Sequence, residues 1–163
     1  MNICLEGVPG CGKSDVIKRL RTLLPKVDCR EHELISSQKS HLVDHVEMIL
    51  AYRQACVPGT TTIWERSPLS LSKVYMNRKD ITPLQYNLYK QLVDRGVYWK
   101  PDLIYYINNQ SDSDLAQKYT YVLKHLRDVE VVLIPSHSTI EDISQFVYKD
   151  LTCKLAKLAD RPQ

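Results

Sequence analysis

The chain has 163 residues, a formal net charge of +3, 44% hydrophobic residues and 25% charged ones. That length suits a single domain, 1–163, with a buried core. The charge is too mild to argue for a nucleic-acid partner, and no apolar run reaches membrane-spanning length.

The N-terminal MNICLEG carries no basic leader and does not read as a signal peptide. Ile3, Cys4 and Leu5 read as a buried strand. The next stretch, Gly7-Val-Pro-Gly-Cys-Gly12-Lys13-Ser14, matches GxxxxGK(S/T) in full. An amphipathic helix is expected over 14–24, stopped by Pro25. A glycine loop between a strand and a helix is the setting in which this motif binds phosphate. Glycines let backbone N–H groups approach phosphate oxygens, and the helix N-terminus adds partial positive charge. Lys13 then reaches the outer phosphates and the Ser14 hydroxyl can ligate Mg²⁺. Gly7, Gly10, Gly12, Lys13, Ser14 and Asp15 are the expected nucleotide-binding positions.

A second short strand is expected over 26–30. Residues 38–56 have helical periodicity, with Leu42, Val46, Ile49 and Leu50 on one stripe, ended by Pro58-Gly59. TTTIW at 60–64 is rich in β-branched residues and reads as a strand. Glu65 and Arg66 leave its carboxyl end together. Glu65 can bind Mg²⁺ directly or through water. Arg66 can hold a donor phosphate or an acceptor oxygen and stabilise transition-state charge.

Thr82, Pro83 and Gln85 give a cap, a first-turn proline and a capping-box partner, so a helix is expected over 82–95, with Gly96 as its stop. Residues 103–107 read as a strand, 115–127 as a helix and 129–134 as a buried strand. Ser138-Thr139-Ile140-Glu141 reads as a second capping box. It opens a helix with Ile140, Ile143, Val147, Leu151, Leu155 and Leu158 on its apolar stripe. Five short strands alternating with helices predict an α/β fold, a parallel sheet covered on both faces. Such sheets bind ligands beyond the carboxyl ends of their strands.

Cys4, Cys11, Cys29, Cys56 and Cys153 are odd in number, scattered and free of CxxC spacing. They point to a reduced, cytoplasmic protein rather than a disulfide or metal framework. Cys11 sits inside the glycine loop, where amides and Lys13 can lower a thiol's pKa.

The glycine loop, WERSPLS at 64–70, VYMNRKDITPLQYNLYKQLVDRG at 74–96 and PDLIYYI at 101–107 resemble, in that order, the deoxynucleoside kinase family, which includes viral thymidine kinase-like enzymes. The resemblance implies a P-loop kinase fold. It also implies transfer of the ATP γ-phosphate, with Mg²⁺, to the 5′-hydroxyl of a deoxynucleoside. The family takes its general base from a glutamate just past the second strand. By spacing that is Glu31, with Glu33 as substitute; the family's usual Glu-Pro is absent here.

In such kinases the nucleoside lies against the helix after the second strand. Here that helix carries His41, His45, Met48 and Tyr52 on roughly one stripe. His45, Met48, Tyr52, Glu31 and Arg66 are the expected substrate contacts. Arg53 and Gln54 can hydrogen-bond a base edge. The family commonly pairs through helices, which makes a homodimer an expectation.

After the fourth strand the family has an arginine-bearing lid. This chain has no arginine between Arg95 and Arg127, and Lys118 is the nearest cation in that segment. The alternatives are a thymidylate kinase-like monophosphate kinase, or a nucleotide-binding regulatory protein with weak catalysis.

Overall fold

A computed structural model describes residues 1–31, 59–67, 101–108, 113–135 and 138–160, with single positions at 74, 83, 87 and 91. The elements in chain order are β1 (Asn2–Gly7), α1 (Lys13–Leu23), β2 (Asp28–Arg30), β3 (Thr62–Glu65), β4 (Leu103–Ile107), α2 (Asp114–Lys124), β5 (Glu130–Ile134) and α3 (Ile140–Ala159). The helix expected over 38–56 lies outside the described residues. Of the one expected over 82–95, the described positions Pro83, Asn87 and Gln91 are helical and exposed, as a solvent face with a spacing of four requires.

The five strands form one parallel sheet in the order β2-β3-β1-β4-β5. This is the α/β fold with a five-stranded parallel sheet that the alternating strands and helices predicted. Strand β1 lies between β3 and β4; the connection from β1 runs to one side of it, to β2, and the connection from neighbouring β4 runs to the other side, to β5. Such a switch point opens a crevice beyond the strand's carboxyl end. The glycine loop leaves β1 there.

Both sheet faces are covered, which explains why the strands read as nearly continuous apolar runs rather than alternating ones. Ile3, Leu5 and Tyr105 belong to the main core with Val16, Ile17 and Leu20 of α1 and Ile143, Val147 and Leu151 of α3. Helices α1 and α3 also pack on each other. Cys4, Trp64 and Ile104 form a second cluster with Leu123, Leu126, Val129 and Val131 at the α2–β5 side. Val16, Ile17 and Leu20 are fully buried, each contributing about 1.5–3 kcal/mol relative to exposure. That burial, more than propensity, fixes α1 against the sheet.

Two polar devices align the strands. Asp102, of the PDLIYYI stretch, accepts the backbone N–H of Asn2 through Oδ2 at 2.7 Å, pinning the amino ends of β1 and β4. Tyr105 of β4 is buried, and its hydroxyl donates to Asp150 Oδ2 of α3 at 2.7 Å. Lys154 donates to both Asp150 oxygens and pairs with Glu130 of β5 at 3.1 Å. Burial raises the Asp150 carboxyl, but the bonds from Lys154 and Tyr105 outweigh it and leave the group below its ordinary range.

The C-terminal helix differs from expectation at both ends. Its cap is Thr139 rather than Ser138, and its box partner is Asp142 rather than Glu141. Thr139 Oγ1 accepts the Asp142 N–H at 3.1 Å, and Asp142 Oδ2 accepts the Thr139 N–H at 3.0 Å. Glu141 is instead paired with Arg19 of α1. A threonine and an aspartate at the same three-residue spacing satisfy the end equally well, and the α1 partner settles the choice. At the other end Leu158 is exposed, because the apolar stripe outlasts the sheet it packs on.

Candidate nucleotide site

The glycine loop turns on three positive-φ glycines at the carboxyl end of β1. Gly12 matters most. It holds φ 85° and begins α1 with no capping side chain of its own. Helices α2 and α3 begin on Ser113 and Thr139, whose side chains do cap them. Without a capping side chain at Gly12, the first-turn N–H groups of α1 suit an anion, which the helix dipole also favours. Gly7 is needed for space: a Cβ there would lie 2.6 Å from Cys11 Sγ and 3.0 Å from the Ile107 carbonyl.

Lys13 is buried and its ammonium turns into the loop. It donates to the carbonyls of Gly7 at 2.9 Å and Val8 at 2.8 Å, and to Cys11 Sγ at 3.4 Å. Ser14 points at the neighbouring strand end. Its hydroxyl donates to Glu65 Oε1 at 2.9 Å, across 51 residues of sequence. Glu65 lies in register with Leu5 and is 8% exposed. The two residues expected to face a magnesium ion are therefore brought together. A hydroxyl and a carboxylate oxygen are hard donors, and Mg²⁺ needs only one or two protein ligands beside phosphate and water. The donor set fits that ion. Among the described residues there is no cluster of three His, Cys, Asp or Glu side chains that could hold a metal alone.

Arg66 extends the β3–β1 ladder by one bond, its N–H donating to the Leu5 carbonyl at 2.9 Å. It does so at φ 70°, in the left-handed region that a non-glycine residue enters at a cost of about 1–3 kcal/mol. Ser67 behind it is fully buried. The chain thus turns sharply off the sheet at Arg66, beside the carboxyl end of β1. Asp15 is exposed on the first turn of α1 and pairs with Lys18 at 3.9 Å.

Glu31 follows β2 on the side of α1. Its Oε1 accepts from Arg21 Nη1 at 2.6 Å, while Arg21 Nε donates to the Cys29 carbonyl at 2.8 Å. Arg30 points the other way, its guanidinium 4.9 Å from the Trp64 ring centre and bonded to Asp28. Burial pushes the Cys29 thiol up to about 11, partly offset by Arg21, so it is not a reactive thiolate. Glu33, His41, His45, Met48, Tyr52, Arg53 and Gln54 lie outside the described residues. Lys118 sits on the solvent side of α2, whose buried side is Ala116 and Tyr119.

One contact was not expected from the sequence. Glu6, next to Gly7 and 1% exposed, accepts from the Tyr119 hydroxyl of α2 at 3.2 Å. The Tyr119 ring lies 5.3 Å from that of Tyr106. A carboxylate inside an otherwise apolar strand was the available signal. Among the described residues no helix is long and apolar enough to cross a membrane.

A family model, the viral superfamily 1 RNA helicase core domain, matches residues 3–63, the stretch that carries β1, the glycine loop and α1. No curated protein matches the chain. Among solved structures, the chain is similar to deoxyadenosine kinase from M. mycoides with the products dCMP and a flexible dCDP bound. That likeness has 12% identity and a TM-score of 0.66, over 94% of this chain and 99% of that one. The same enzyme with bound dATP gives 13% identity and 0.62, over 93% and 100%. With bound dCTP it gives 13% and 0.64, over 94% and 100%. At such identities the likeness shows the fold alone, a P-loop kinase fold. Folds of this kind generally bind a nucleotide with Mg²⁺.

Proposed function

We propose that this protein transfers the γ-phosphoryl group of ATP to the 5′-hydroxyl of a deoxynucleoside. The observation that carries the reading is the Ser14–Glu65 contact, which joins the glycine loop to the Glu65-Arg66-Ser67 strand end in one site. Similarity in fold to a deoxyadenosine kinase supports the acceptor class. When bound, ATP supplies the phosphoryl group and Mg²⁺ neutralises its charge.

In this reading the loop amides and the first turn of α1 hold the phosphate chain, and Lys13 swings out to the outer phosphates. Ser14 and Glu65 hold the cation. Arg66 stabilises charge on the group in transfer. Glu31 takes the proton from the acceptor hydroxyl, for which its carboxylate must part from Arg21. His45, Met48 and Tyr52 line the nucleoside, and the partners are this small molecule and a second copy of the chain.

A second reading, nucleotide binding with little turnover, is favoured by the segment after β4: it has no arginine, and its lysines on α2, Lys118 and Lys124, are exposed. The test is incubation with ATP and Mg²⁺ against a panel of deoxynucleosides and their monophosphates. Transfer to a deoxynucleoside is the expected result. Transfer to monophosphates alone would overturn the acceptor assignment, and binding without transfer would favour the second reading.

A further inference from the structure

Lys13 Nζ has three protons and three acceptors: two loop carbonyls and the Cys11 sulfur. Its donor capacity is therefore fully used by the loop itself. A phosphate oxygen can engage the ammonium only by displacing at least one of these contacts. The carbonyls of Gly7 and Val8 belong to the backbone and are present whatever the side chains. The third contact depends on which residue stands at position 11.

Cys11 is held in place for that contact. It is 5% exposed. Its N–H donates to the Val8 carbonyl at 3.4 Å, closing the turn. Its sulfur occupies the space that a side chain at Gly7 would fill, 2.6 Å from that Cβ position. Sulfur is a weak acceptor, so this contact is the easiest of the three to exchange for a charged phosphate oxygen, which bonds an ammonium more strongly.

We infer that Cys11 is a positioning residue for Lys13. Its sulfur completes the inward hold on the ammonium and so sets how readily the phosphate loop takes a nucleotide. The inference rests on the proposed function in one respect, that this loop binds nucleoside triphosphate through Lys13. A contact made only in the inward arrangement stabilises that arrangement against the nucleotide-bound one, and removing it shifts the balance toward binding.

The test compares the full chain with Cys11→Ala, Cys11→Gly and Cys11→Ser, measuring ATP and ADP affinity by calorimetry with Mg²⁺ and thermal unfolding without nucleotide. Cys11→Ala and Cys11→Gly are expected to lower Kd about two- to fivefold and to lower the nucleotide-free midpoint. Cys11→Ser, which keeps an acceptor, returns both toward the original values. In steady state the Ala variant lowers the KM for ATP with kcat unchanged. If Cys11→Ala unfolds, the Gly and Ser pair carries the comparison. Original protein that binds ATP, with Kd unchanged or raised on removal of the sulfur or not restored by serine, would overturn the inference alone. Original protein that binds neither ATP nor ADP at millimolar concentration would overturn the proposed function together with it.

Discussion

At its first turn α1 starts from Gly12 in the left-handed region, which brings no capping side chain, with Ser14 turned to Glu65. At its last turn the Leu24 N–H bonds the Leu20 carbonyl at 2.8 Å, and Arg21 reaches the Cys29 carbonyl and Glu31. Both ends place a polar side chain against a glutamate that leaves a parallel strand. At one end the glutamate is nearly buried and lies beside the glycine loop; at the other it is a half-exposed surface ion pair. The difference teaches where the proposed function looks for binding capacity: at the helix start whose cap residue, Gly12, brings no side chain.

Breaking the open end should have the largest effect. Lys13→Ala is expected to lower phosphoryl transfer by about 10³-fold or more, as loss of a transition-state charge partner does, with the circular dichroism spectrum unchanged. Full retention of activity would remove the glycine loop from the reaction. Glu65→Gln is expected to lower kcat by about 10²-fold and to raise the Mg²⁺ concentration for half-maximal activity, read from a metal titration. An unaltered Mg²⁺ dependence would assign the Ser14–Glu65 contact to structure alone.

The closed end decides whether Glu31 belongs with Glu65 or against it. Glu31→Gln is expected to lower kcat by about 10²-fold with ATP affinity unchanged. Arg21→Ala, which removes the ion pair and the bond to the Cys29 carbonyl, should leave kcat within about threefold and cost about 1–2 kcal/mol in urea unfolding. Equal, small effects of both changes would make Glu31 a surface ion-pair partner and pass the base role to Glu33. A smaller effect sharpens the contrast between capped and uncapped helix starts. Thr139→Ala at the capped start of α3 should cost about 1 kcal/mol of stability, seen as a midpoint lowered by a few degrees, with nucleotide affinity unaffected.

Much of the sheet could be read from residue order. The strand over 103–107 matches β4, because an apolar run bounded by Pro101-Asp102 and a polar stretch admits little else. The glycine loop and the carboxyl end of β3 could be paired in advance because parallel topology sends both to one edge. Finer features depended on partners distant in the chain. The Ser138 cap gave way to Thr139 because Glu141 is paired with Arg19, a contact no local window contains. The side of the sheet that Glu31 takes followed from Arg21 on α1, and spacing along β2 alone carries no information about it. The Glu6–Tyr119 bond spans 113 residues. Only the assembled sheet brings α2 over β1.

Tyr105 gives the core an optical consequence. Burial first, and then the bond to Asp150, push its phenol far above the ordinary tyrosine range. The folded chain therefore keeps this proton more tightly than the unfolded one. The stability tied to it is complete below about pH 10, the ordinary value, and declines as the pH rises beyond that. In an alkaline absorbance titration of the ten tyrosines, Tyr105 should remain dark while the sheet persists and ionise only as helical ellipticity disappears. A tyrosinate signal that reached completion before that loss would show β4 and α3 parting early. A coincident final step would make this one side chain an intrinsic dye for the integrity of the β4–α3 seam.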